Sequence, residues 1–193
     1  MQTVGTGSRQ LRVSLSAACP DGPQRTLSAA DQCVSGAAGC APVTEFDAMT
    51  SWRDSASQSA QDDLDSLLNA VLPLAENLLG KNGEFFPFGG SVSRQGQASL
   101  TPADPGLGEH PASDLVLAHL YDKARTNASN ARAAAFVADV RANGSDAVRV
   151  ELEHQEGATL VVLVPYTRSR FKKTVAFGPI SVAHGQPRIW AVQ

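Results

Sequence analysis

The sequence predicts an α+β fold: two main helices packed on one face of a mostly antiparallel meander sheet. Three observations lead there. Apolar residues recur with a helical period at Leu64, Leu67, Leu68, Val71, Leu74, Ala75, Leu78 and Leu79. A second, shorter helical pattern follows at Leu117, Leu120, Tyr121 and Ala124. The last third then alternates apolar and polar residues in short runs joined by turns, the mark of consecutive antiparallel strands. At 193 residues the chain can hold one domain with a sizeable core, plus a tail.

The first 48 residues stand apart. They carry no Lys, Ile, Trp or Tyr and one aromatic, Phe46, and are rich in Ser, Ala, Gly and Pro. Such a segment buries too little apolar surface to offset its ordering entropy, so 1–48 is expected to be a disordered tail or an over-extended N-terminus. Met49 would then be a natural start for a single domain over 49–193. The apolar stretch "LRVSLSAAC" is interrupted by Arg12, Ser14 and Ser16, and so does not make an efficient secretion signal. The three cysteines, Cys19, Cys33 and Cys40, are odd in number and form no C-x-x-C pair, which argues against a disulfide framework or a zinc site. No run is long and apolar enough to span a bilayer. A net charge of −3 gives no reason to invoke a membrane or nucleic acid. The expected location is the cytoplasm.

The first helix opens near residue 58. Ser59 with Asp62 three positions on resembles a capping box, and Asp62, Asp63 and Asp65 suit the positive end of the helix dipole. Pro73 should kink it by removing a hydrogen bond to Asn69. Asn82-Gly83 supplies a left-handed stop. "GEFFPFGGSV" follows and holds three of the seven phenylalanines. In an extended segment Phe86 and Phe88 share a face, so both are expected in the core beneath the helix, with Phe85 over a helix end. Pro87 lacks an N–H and marks an edge strand or a bulge. "GGSVSRQGQASL" reads as a hairpin around Gln95-Gly96. "TPADPGLGEHP" has three prolines and two glycines in eleven residues and reads as a loop. The second helix starts at a Ser113 or Asp114 cap.

In "ARAAAFVADVRA", Ala134, Phe136, Ala138 and Val140 share a side. In "DAVRVELEHQEG", Val148, Val150, Leu152 and His154 face one way and Arg149, Glu151 and Glu153 the other. Glu156-Gly157 turns the chain into "ATLVVLVPY", and two further strands fit "KTVAFGPI" and "QPRIWAV".

An amphipathic helix running into "GEFFPFGGSV", with "VELEHQEGATLVVLVPY" and a basic segment later, resembles a group of small bacterial α+β proteins. These share an EFFPFG-type segment and an LEH–turn–LPY hairpin. The likeness spans roughly residues 60–190. That group has no assigned activity, so the resemblance implies a fold and no mechanism.

The best titratable cluster is "ELEH". Glu151 and Glu153 lie about 7 Å apart on one strand face, with His154 opposite. A metal or acid–base site would need a carboxylate or histidine from elsewhere, and no H-E-x-x-H spacing links His110, His119, His154 or His184. The two carboxylates are therefore expected on a solvated strand face beside a partly buried histidine. The weak catalytic candidates are His154, Glu151, Glu153, Glu84 and His110. "YTRSRFKK" carries Arg168, Arg170, Lys172 and Lys173 among aromatics, in a region of net charge +3 over residues 131–193. It could bind phosphate or nucleic acid, but four cations alone bind weakly at physiological salt, and a solvated loop or charged edge strand is the expectation. There is no G-x-S-x-G, no Walker loop and no dinucleotide fingerprint. No cofactor or metal is expected. What remains is a non-enzymatic protein-interaction module, regulatory, adaptor or immunity-type, with an unidentified protein partner. The alternatives are an enzyme with an unrecognised His/Glu site and a weak nucleic-acid or phosphate binder.

Overall fold

A computed structural model describes residues 52–104, 106, 108, 111–142, 144–169 and 173–190. The readings made above for residues 1–48, for Met49 and for His110, Arg170 and Lys172 fall outside these. Among the described residues the order is α1 (Trp52–Ser55), α2 (Gln58–Asn82), β1 (Phe88–Ser93), β2 (Ala98–Thr101), α3 (Ser113–Thr126), β3 (Ala131–Ala142), β4 (Ser145–His154), β5 (Thr159–Ser169), β6 (Thr174–Phe177) and β7 (Ser181–His184). The fold is α+β with an antiparallel, meander-like sheet ordered β2-β1-β3-β4-β5-β6, and β7 lies alongside β5.

The cap of helix α2 lies two residues before the expected Ser59. Ser57 is extended, and its hydroxyl accepts the N–H of Ala60. Gln61 ties this entry down by donating to the carbonyls of Arg53 and Ala56. Arg53 in turn grips both oxygens of Asp65 at 3.0 Å. The stop falls where the sequence placed it: Gly83 is left-handed (φ 92°) and its N–H returns to the Leu79 carbonyl. The helix runs through Pro73. The hairpin turn also falls as expected, with Gly96 at φ 81° between β1 and β2.

The two long helices, expected on one face, lie on opposite faces. Strand side chains alternate, and β3 is apolar on both sides. Ala133, Ala135 and Val137 join the core under α2, whereas Ala134 and Phe136 pack against Val116 and Leu120 of α3. The chain between β2 and β3 crosses over β1 through α3, so it must cover the face that α2 leaves open. Vicinal glycines on β1 record the same division: a Cβ on Gly90 would meet Leu67 and Val71, and one on Gly89 would meet Leu120.

The last strand was misplaced in sequence. β7 is Ser181–His184, bonded to β5, while Arg188–Trp190 forms a bend rather than the strand expected over "QPRIWAV". Its backbone N–H groups are taken by a side chain, as the next section describes. No helix among the described residues is long and apolar enough to cross a membrane.

Candidate functional site

Strand alternation puts His154 on the α2 face, at 1% exposure. Its Nε2 lies 3.3 Å from Oδ2 of Asp63, and Nδ1 accepts the N–H of Glu156 at 3.2 Å. An Nδ1 that accepts a backbone N–H carries no proton, so the ring is the neutral Nε2–H tautomer donating to Asp63. The other oxygen of Asp63 accepts from Arg132 at 2.8 Å. Helix α2, β3 and the end of β4 are thereby joined through one carboxylate. The sequence treated Asp63 as a dipole-favoured first-turn acid. The missed signal is its place on the apolar stripe, four residues before Leu67.

Glu151 and Glu153 are on the opposite face, as alternation requires, but they are not solvated. They are 9% and 4% exposed. Helix α3 and the C-terminal bend cover them. Glu153 accepts three consecutive backbone N–H groups, from Arg188 at 2.7 Å, Ile189 at 2.9 Å and Trp190 at 2.7 Å. Those donors are therefore unavailable for a strand ladder. Glu151 accepts from the Tyr121 hydroxyl at 2.9 Å, pairs with Arg149, and lies 3.5 Å from the Arg188 guanidinium. Arg188 also stacks over the Tyr121 ring. Burial, followed by the Glu151 charge and hydrogen bond, pushes the Tyr121 hydroxyl up to about 12. Both carboxylates are thus absorbed in internal bonds.

At the far end of the sheet the Tyr166 hydroxyl donates to Asp139 at 2.9 Å. Burial raises the Asp139 carboxyl above its ordinary range against that hydrogen bond, and the charges of Asp146 and Glu84 push the same way. Burial chiefly, then the Asp139 bond, raises Tyr166 as well.

Of the basic segment, Arg168 and Lys173 are described. Arg168 sits on the α2 face of β5, and its guanidinium covers Gly83 so closely that an added Cβ would overlap it at 2.0 Å. A cation there complements the negative end of the helix dipole. Lys173 is exposed, with φ 50°.

The remaining candidate, Glu84, is exposed and lines a large concavity. This groove of about 780 Å³ lies between the C-terminal half of α2 (Leu74, Leu78), the segment Phe85–Phe88, the edge strand β2 (Leu100, Thr101) and the start of α3 (Ser113). Phe88 is core at 4% exposure, and Phe85 packs against it with ring centroids 5.5 Å apart. Phe86, expected in the core, is 45% exposed and lines the groove, as does Leu100 at 43%. Helix α2 ends at Asn82, so its apolar face roofs Phe88 but only flanks Phe86. Sequence reasoning missed Leu100: "ASLT" is too short to show which side of a strand is covered.

A smaller, mainly apolar cavity of about 380 Å³ lies between Pro73 of α2 and β6. Among the described residues no group of three or more His, Cys, Asp or Glu is placed to hold a metal ion. No protein-family model, no curated protein and no solved structure matches this chain.

Proposed function

We propose that this protein is a non-enzymatic protein-interaction module, regulatory, adaptor or immunity-type, and that the groove beside β2 is its docking surface. One observation carries the reading. The groove has the size of a ligand site, about 780 Å³, and is walled by Leu74, Leu78, Phe85, Phe86 and Leu100 with, among the described residues, one ionisable side chain, Glu84. Exposed apolar surface of this kind, beside a sheet edge, is what binding partners cover. The titratable groups support the same reading. A general base must reach a substrate proton, and both ring nitrogens of His154 are engaged inside the protein. Glu151 and Glu153 are likewise engaged, and the Arg168 guanidinium lies against Gly83 at the end of α2.

The test is affinity capture from native lysate with the full chain and with Leu100→Glu, which alters an exposed side chain. A stoichiometric protein held by the parent and lost by the variant supports the proposal. Equal retention by both sinks it. Salt-sensitive recovery of nucleic acid alone would favour the nucleic-acid alternative instead.

A further inference from the structure

We infer that the groove takes an extended polypeptide segment as an added strand beside β2, with apolar side chains at alternate positions and a Lys or Arg facing Glu84. This rests on the docking reading above and names its occupant. Among the described residues β2 is bonded on one side only, to β1. In an antiparallel ladder alternate residues turn their N–H and C=O groups away from the partner, so β2 offers backbone groups toward the groove. Its four residues span about 13 Å and include no charge and no proline, two of the means by which an edge is blunted.

The shape of the groove selects a strand over a helix. Leu100 is paired with Gly90, which faces α2, and Thr101 with Gly89, which faces α3. Both Leu100 and Thr101 line the groove, as do Leu78 of α2 and Ser113 of α3. The concavity therefore wraps around the sheet edge, between the two helical layers, in the place where the next strand would lie. Strands stand about 4.8 Å apart, whereas a helix about 10–12 Å across would have to part the layers. An added strand would set alternate side chains beside Leu100 and Phe86 on one side and beside Thr101 on the other.

Charge favours a foreign segment over pairing with the β2 of a second copy. Among the described residues that line the groove the ionisable one is Glu84, so the fitting partner carries a cation there. The β2 of a second copy would bring Ala98, Ser99, Leu100 and Thr101, which include none.

The test is selection of random displayed peptides on the full chain, followed by synthesis of the enriched sequence and fluorescence anisotropy. The expected winners alternate apolar residues and hold Lys or Arg toward one end. N-methylation of one alternate set of backbone amides should weaken binding about tenfold, and methylation of the other set should not. Glu84→Lys should cost a similar factor. Winners that depend on the groove but repeat at three- and four-residue spacing, or that ignore N-methylation, overturn the strand and leave the docking reading standing. No enrichment, or binding indifferent to both Leu100→Glu and Phe86→Ser in variants that melt like the parent, overturns both. A dimer in light scattering that Leu100→Glu dissolves assigns the groove to a second copy and overturns the foreign segment.

Discussion

Phe86 and Phe88 are two positions apart on one extended segment, yet only Phe88 is core. Alternation tells which residues share a face; it does not tell where the covering layer ends. Replacing Phe88 by Ala should cost about 3–5 kcal/mol, the range for removing a buried aromatic, and Phe86→Ala should cost clearly less. Urea denaturation of the two variants reads the difference, and equal losses would place Phe86 in the core after all. Glu153 gives a second residue-scale expectation. Glu153→Ala strands three N–H groups of the Arg188–Trp190 bend. Stability should fall by about 1–3 kcal/mol, since a freed bend can turn its donors to water. Hydrogen exchange should show those amides losing protection while the β4 amides keep theirs. The partners of Glu153 could not be read in advance, because they come from a bend 35 residues away.

At the scale of elements, α2 shows which local signals are unique and which are degenerate. Serines at 55, 57 and 59 offer three possible caps. The structure uses Ser57, where Gln61 can also close the turn back to Arg53 and Ala56. The stop has one competitor, Gly80 directly after Leu79, which stays helical while Gly83 takes the left-handed conformation. Gly83→Ala forces a Cβ into a left-handed residue, at about 1–2 kcal/mol, and also into the Arg168 guanidinium. The thermal midpoint should drop, and truncating Arg168 to Ala in the same chain should relieve part of the loss. Full additivity of the two substitutions would show that Arg168 does not press on the helix end. The helical pattern of α3 was legible, but its cap was not: the N-cap is Ala112, which makes no side-chain bond.

For the whole molecule, the two tyrosines make burial measurable. They are the only ones in the chain, and both have hydroxyls bonded to carboxylates, Tyr121 to Glu151 and Tyr166 to Asp139. Tyr121 is raised to about 12 and Tyr166 is raised too, against an ordinary value of 10.0. The folded state therefore holds these protons where the unfolded chain releases them. Their contribution to stability is complete below pH 10 and is lost as pH rises toward 12. Absorbance titration of the folded protein should show no tyrosinate at pH 10, with ionisation arriving together with alkaline unfolding. A full tyrosinate signal at pH 10 in protein with native circular dichroism would contradict both burial assignments.

The sequence by itself determined the α+β class, the extent of α2 and its glycine stop, the β1–β2 turn, and which residues of β4 face together. All of these depend on neighbours within a few positions: a period of 3.6 or 2, a φ that glycine adopts readily, a two-sided strand. Only the tertiary structure decided the rest. It placed α3 across the sheet from α2, because β3 is apolar on both sides and either face alone would satisfy its alternation. It buried Glu151 and Glu153, because the groups that solvate them come from α3 and the C-terminal bend. It left Phe86 and Leu100 at a sheet edge, because what covers an apolar side chain depends on where other elements stop. Burial, and with it the groove, is a property of how elements are placed against one another, and no local pattern in the chain encodes that placement.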